Sequence, residues 1–174
     1  GRFWQGERAN GANPLTIQGG HGIDALCSLI GDMTEVSARV ATRITEWKNT
    51  DTGEMVTVDA PDAISIVGRT GAGAEVAVQI ATVPVNPSGT RLEIYGREGS
   101  LVISSGSSNI GPNRLYGARA GEAMAELTVP DEYHLAPEGT PAGAPRNVAH
   151  AYARIADAWQ ADAPFEADFE RGLQ

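Results

Sequence analysis

Residues 63–82 read AISIVGRTGAGAEVAVQIAT. Two runs rich in strand-forming residues, Ala63 to Arg69 and Glu75 to Thr82, flank Gly71 to Gly73, and Val76, Val78 and Ile80 recur at period two on one side of the second run. Glycines between two such runs supply the turn, so the segment predicts a β-hairpin.

The same pattern continues toward the C-terminus. Arg91 to Tyr95 is a further strand, and Leu92 to Ile103, LEIYGREGSLVI, has two strand halves around Gly96, Arg97, Glu98 and Gly99, the chemistry of a tight turn. Weaker strands are expected at Arg114 to Gly117 and Ala125 to Val129. On the N-terminal side, Glu35 to Arg43 alternates, with Val36, Ala38, Val40 and Thr42 on one side and Arg39 and Arg43 on the other. A polar loop with Asp51, Thr52 and Gly53 follows it.

Helices bracket the strands. From Pro14 onward, Ile23, Leu26, Cys27 and Ile30 take the i, i+3, i+4, i+7 spacing of a helix with one buried face, and Gly31 supplies its stop. Gly19, Gly20 and Gly22 lie within that span, each unfavourable in a helix interior by roughly 1 kcal/mol relative to alanine. They suggest close backbone approach by another element or a ligand. Near the other end, Pro145 and Asn147 lead into Val148, Ala151, Tyr152, Ile155 and Trp159, again at helical spacing. Helix, hairpin-linked strands, helix predicts an α+β fold: a mostly antiparallel open sheet with helices packed on one face. The other face is expected to be covered by oligomerisation.

Composition narrows the function classes. At 174 residues with 41% hydrophobic content, the chain suffices for a single domain, 1–174, with its own core. A net charge of -9 without clustered Lys or Arg argues against nucleic acid or an anionic membrane as partner. The lone Cys27 excludes an internal disulfide, and the cytoplasm is the expected compartment. His21, His134 and His150 show no metal-ligand spacing, so no metal is expected. Both ends read as cuts through a longer protein: the chain opens on Gly1 in a polar stretch, and Asp168 reads as an N-cap for a helix that stops at Gln174.

Three segments carry a family resemblance. Gly19-Gly20-His21-Gly22-Ile23-Asp24-Ala25-Leu26 with Leu29-Ile30-Gly31, the hairpin from Leu92 to Leu101, and the closing helix with Asp168-Phe169 and Gly172 stand in the order found in one family. Together they resemble the C-terminal domain of the Gfo/Idh/MocA oxidoreductases. Pro14-Leu15-Thr16-Ile17 ahead of the histidine, Ala60-Pro61-Asp62 ahead of a strand, and Asn147-Val148-Ala149 in the last helix are similar to the galactose-regulatory-repressor-like (Gal80p-like) branch. The resemblance implies a C-terminal substrate-binding and dimerisation domain. It implies as well a full-length protein with an N-terminal Rossmann domain that binds NAD(P) and carries a catalytic lysine. Neither the glycine-rich fingerprint nor a matching lysine occurs here, Lys48 lying in the polar loop, so no cofactor-binding residue is expected in this chain.

The resemblance also singles out His21. The matching histidine faces the substrate, where an imidazole can take the proton of a hydroxyl as hydride leaves. The competing reading is a helix histidine that hydrogen-bonds neighbouring backbone. Many active members carry an aspartate four residues earlier, and here that position is Ile17, which can neither orient an imidazole nor relay its proton. Asp24 matches the acidic position of H-x-x-D, and is either a substrate-side group or a helix-stabilising carboxylate. Gln18 is a further polar candidate, about 100° around the helix from Ile17. Trp4, with Gln5, Arg8 and Asn10, lies where sugar-handling relatives reach the substrate, although as a chain end this stretch reads more readily as frayed.

The function expected is that of the substrate-side part of an NAD(P)-dependent sugar or polyol oxidoreductase, inactive in isolation. Its partners are the Rossmann domain and further copies of itself. The alternative is a non-catalytic, repressor-like sensor or interaction domain.

Overall fold

The computed structural model describes residues 3–13, 15–82, 86–106, 113–165 and 167–170. Two compact units divide the chain, Gly1–Pro87 and Ser88–Gln174. The architecture is α+β, with antiparallel open sheets and few helices, as the alternation of hairpins and terminal helices implies.

In the first unit, short 3-10 turns at Phe3–Gly6 and Arg8–Asn10 precede a π-helical turn, Leu15–Gly19, that runs directly into helix α1, Gly20–Ile30. Leu26 is the buried residue of α1, flanked on its face by half-buried Ile23, Cys27 and Ile30, while Leu29 is exposed. Gly31 ends the helix at a φ of 87° that an L side chain would resist, its N–H donating to the Cys27 carbonyl at 2.8 Å.

Strands β1 (Met33–Ala41), β4 (Ala63–Thr70) and β5 (Glu75–Ala81) form an antiparallel sheet with β4 in the middle. Its register aligns Val40 with Ile64 and Ile64 with Ile80, then Ala38 with Ile66 and Ile66 with Val78, so one face is wholly aliphatic. Ile64, Ile66 and Val76 are buried there, whereas Val36 and Val40 on the edge strand β1 stay exposed. The opposite face aligns Ser37, Val67 and Ala77, and beside them Arg39, Ser65 and Gln79.

Between β1 and β4 the sequence suggests only a polar loop. The structure places a small hairpin there, β2 (Glu46–Lys48) against β3 (Met55–Thr57). Its Trp47 serves as a floor for the N-terminus: a Cβ on Gly6 would lie 3.2 Å from Trp47 Cζ3 and 3.1 Å from Val58 Cγ2. The Gly6 carbonyl accepts the N–H groups of Asp59 and Ala60, each at 3.0 Å, and Asp59 Oδ1 accepts the N–H of Arg8 at 2.6 Å. The N-terminal stretch is therefore anchored by these hydrogen bonds rather than frayed, and a side chain at Gly6 would press on the indole.

The Ala60-Pro61-Asp62 motif is a structural joint. All three residues are buried, and the Asp62 carboxylate accepts the backbone N–H groups of Arg43 and Ile44, both at 2.7 Å. Arg43 thus lies in the connection after β1 rather than on the strand.

The second unit contains a meander of β6 (Thr90–Tyr95), β7 (Gly99–Ser105), β8 (Asn113–Arg119) and β9 (Ala125–Leu127), in sequential order. The tight turn expected at Gly96 to Gly99 joins β6 to β7, with Gly96 N–H donating to the Gly99 carbonyl at 2.9 Å. One face gathers Leu92, Ile103, Leu115 and Leu127 in register. A 3-10 turn, Asp131–Tyr133, and a loop lead to α2, Ala144–Gln160. Pro145 occupies its first turn, where a missing N–H costs nothing. The apolar stripe of α2 is exposed: Tyr152 is 68% and Trp159 86% accessible. Asp168 is described, but the Arg171 to Gln174 end of the suggested terminal helix lies outside the described residues.

Candidate functional site

The entry to α1 is built by a reciprocal pair of hydrogen bonds. Asn13 Oδ1 accepts the Thr16 N–H at 3.3 Å, and Thr16 Oγ1 accepts the Asn13 N–H at 3.0 Å. This is a capping-box arrangement, satisfying donors that a helix start would otherwise leave orphaned. The Ile17 N–H donates to the Asn13 carbonyl at 3.0 Å, so the turn that precedes His21 is fixed from its first residue. Its sequence signal was available in Asn13 and Thr16, a capping residue followed three positions later by a second hydrogen-bonding side chain.

His21 stands on the first turn of α1 with its side chain exposed, and Asp24 follows three residues later, also exposed. That spacing makes them neighbours on one helix surface. Gln18 and Ile17 belong to the π-helical turn, both exposed, Ile17 at 39%. Single π turns inside helices are frequent at functional sites, since they re-aim the residues that follow. Trp4 lies on the first 3-10 turn, 54% exposed, its carbonyl accepting Asn10 Nδ2 at 2.7 Å. His21, Asp24 and Gln18 thus share one continuous helical segment, while Trp4 belongs to the anchored N-terminal turn.

Of the two approaches expected at Gly22, by another element or by a ligand, the first is not made by the described residues. A Cβ built there meets nothing within 4 Å, so no described element presses on this glycine. Gly19, by contrast, is buried.

A dinucleotide pyrophosphate is held where a strand passes through a glycine turn into the N-terminus of a helix, within a parallel βαβ unit. Here α1 opens from a π-helical turn and α2 from a loop, and the strand pairings are antiparallel. The described residues do not fit NAD(P). Nor does any group of three or more His, Cys, Asp or Glu among the described residues suit a metal ion. None of the helices described is long and apolar enough to cross a membrane.

Two depressions, each of about 270 Å³, mark the surface of the second unit. One lies on the polar face of the meander, lined by Arg91, Tyr95, Val102, Tyr116 and Met124. Arg91 Nε donates to Glu93 Oε1 at 2.6 Å, and this bond holds the Glu93 carboxyl below the ordinary carboxylate range, with a smaller contribution from Tyr95. On the same face the hydrogen bond to Tyr116 raises the Arg114 guanidinium above its ordinary value. The other depression is formed by the loop before α2 and the helix's first turns, with His134, Arg146 and His150 in its wall. Neither depression includes His21, Asp24, Gln18 or Trp4. His134 and His150 stand 16 positions apart in sequence, and only the folded loop brings their rings to 6.5 Å.

Comparison with known proteins gives these observations a family. Residues 3–105 match the family model described as Gal80p, C-terminal domain. An uncharacterised oxidoreductase of Synechocystis sp. is 30% identical over 132 residues, 73% of this chain and 35% of that protein. Among solved structures, an NAD binding oxidoreductase from Klebsiella pneumoniae superposes with a TM-score of 0.80 at 18% identity, over 98% of this chain and 48% of that one. Levoglucosan dehydrogenase in complex with NADH and levoglucosan gives 0.72 at 20% identity, over 89% and 43%. The chain therefore spans about a third of the curated relative's length and less than half of either structure's. The anchored N-terminal turn, the helix that bears His21, the Asp62 joint and the hairpins up to Ser105 all fall within the matched span, and the chain belongs to the Gal80p C-terminal domain family, the oxidoreductase-like fold that its sequence resembles.

Proposed function

We propose that this chain is the substrate-side and oligomerisation domain, 1–174, of an NAD(P)-dependent oxidoreductase acting on a sugar or polyol. The cofactor is held by a Rossmann domain elsewhere in the full-length protein. The observation that carries this reading is His21, exposed on the first turn of α1 directly after a capped π-helical turn, in a chain of oxidoreductase-like fold. An exposed imidazole at a helix start can accept a hydroxyl proton while hydride leaves the adjacent carbon. Asp24 orients or neighbours that ring, and Gln18 and Trp4 contribute polar and ring-face contacts to the sugar. The chain's resemblance to a levoglucosan dehydrogenase supports the substrate class. The exposed stripe of Tyr152 and Trp159 supports a further domain that covers α2. The lone Cys27 supports a cytoplasmic setting.

The test is nucleotide reduction by the full-length protein across a polyol and sugar panel, with His21→Ala beside it. Turnover that His21→Ala reduces by about 10²-fold or more is the expected result for a general base. Absence of turnover with every substrate, despite bound nucleotide, overturns the enzymatic reading.

One observation favours a second reading. Ile17 occupies the place four residues before His21 where many active members of the family it resembles carry an aspartate, so the imidazole has no carboxylate partner from that position. A non-catalytic, repressor-like sensor would keep the fold and the ligand contacts without the proton relay. Ligand binding without turnover in the full-length protein is its signature.

A further inference from the structure

The depression beside α2 has the chemistry of a binding site that the reading above does not use. Pro137 closes its loop by accepting two bonds from Thr140, from the N–H at 3.1 Å and from Oγ1 at 2.6 Å. Arg146, on the first turn of α2, donates from Nη2 to the Thr140 carbonyl at 3.1 Å, which ties the guanidinium to the loop. His150 lies one helical turn further along the same face. The rings of His134 and His150 meet edge to face, with 61° between their planes. His150 Nε2 is shut off from solvent and has no hydrogen-bond partner among the described residues. Buried polar atoms are nearly always hydrogen-bonded, so an orphan in the wall of a depression points to a group that enters it.

We propose that this depression binds a small hydroxy-monocarboxylate. Arg146 spends one of its five N–H donors on Thr140, and the planar fork of the remainder matches a carboxylate. Glu138 also lines the wall, and its charge opposes a dianion such as phosphate while accepting a bond from a ligand hydroxyl. A second hydroxyl satisfies His150 Nε2 in either tautomer, since a hydroxyl both donates and accepts. At about 270 Å³ the space stands just below the range of small-molecule sites. On a chain of net charge -9, Arg146 is the cationic side chain of this wall, set against the single carboxylate of Glu138.

Calorimetry on the 174-residue chain with D-gluconate as probe tests the site, with D-sorbitol and inorganic phosphate as the uncharged and dianionic comparisons. Saturable gluconate binding that Arg146→Gln weakens by about tenfold or more, with sorbitol and phosphate weaker by a similar factor, is the expected result. No saturable gluconate binding overturns the proposal, as does equal binding of sorbitol or phosphate, or a gluconate affinity unchanged in Arg146→Gln. Should that variant unfold, the ring-proton resonances of His150 in the unmutated chain decide. Displacement by gluconate supports the site, and resonances that stay in place at saturating gluconate overturn it.

Discussion

Asp62 Oδ2 accepts the backbone N–H of Ile44 at 2.7 Å, and its second oxygen holds the preceding N–H of Arg43 at the same distance. A buried carboxylate thus closes the connection between β1 and the small hairpin, while the Asp62 carbonyl accepts the Thr82 N–H at 3.0 Å beyond β5. Asp62→Asn keeps one acceptor and turns an amino group toward the other N–H. The expected loss is about 1–3 kcal/mol of stability, read from urea denaturation of variant and parent. A midpoint unchanged from the parent would contradict this role.

The Asn13–Thr16 pair fixes the helix that carries His21. Asn13→Ala is expected to cost about 1 kcal/mol, in the range measured for lost N-caps. Amide exchange should rise in residues 15–23 and not in β4, which distinguishes a local cap from a general packing defect.

Val67 projects from the face that also presents Ser37 and Ala77, and it is 59% exposed. If copies of the chain associate through this face, Val67→Asp lowers the sedimentation coefficient to that of a monomer. Stability of the monomer should change by no more than about 0.5 kcal/mol, as for other surface substitutions. A parent chain that is already monomeric at micromolar concentration rules out the sheet as interface.

Glu93 has its carboxyl pKa depressed by Arg91, which donates to it at 2.6 Å. A depressed carboxyl contributes stability that is complete above its unfolded pKa and is lost as pH falls through the folded one. Glu93→Gln should therefore flatten the fall in Tm on acidification from about pH 6 to about pH 3, and leave the neutral region nearly unchanged, because an exposed pair is strongly screened. An identical acid limb in both proteins would show the pair to be silent.

Much of this fold is legible in the sequence because its signals are local. The alternation of Val76, Val78 and Ile80 and the turn Gly96 to Gly99 each declare themselves within a dozen residues. The β2–β3 hairpin does not, because three-residue strands such as Glu46–Lys48 are too short to show a period. Anchoring of the N-terminus was equally invisible, since it depends on Gly6 meeting Trp47 and Val58 across some 40 to 50 positions of chain. The pairing of His134 with His150 is of the same kind. For the candidate site, His21 and Asp24 are neighbours by α-helical spacing and so could be read ahead of the structure, whereas Gln18 lies on the π-helical turn, which has no signal in the sequence. Trp4 could be placed only through the resemblance.

The π-helical turn Leu15–Gly19 holds one residue more than an α turn would need for the same hydrogen-bonded closure. That surplus makes the segment tolerant of length change. Removing one residue there would relax the π turn to an α turn, leave α1 and His21 in place, and change which of residues 15–18 lies one turn before the imidazole. A lineage could exchange which side chain stands beside His21 by a single-codon deletion, with the helix itself untouched.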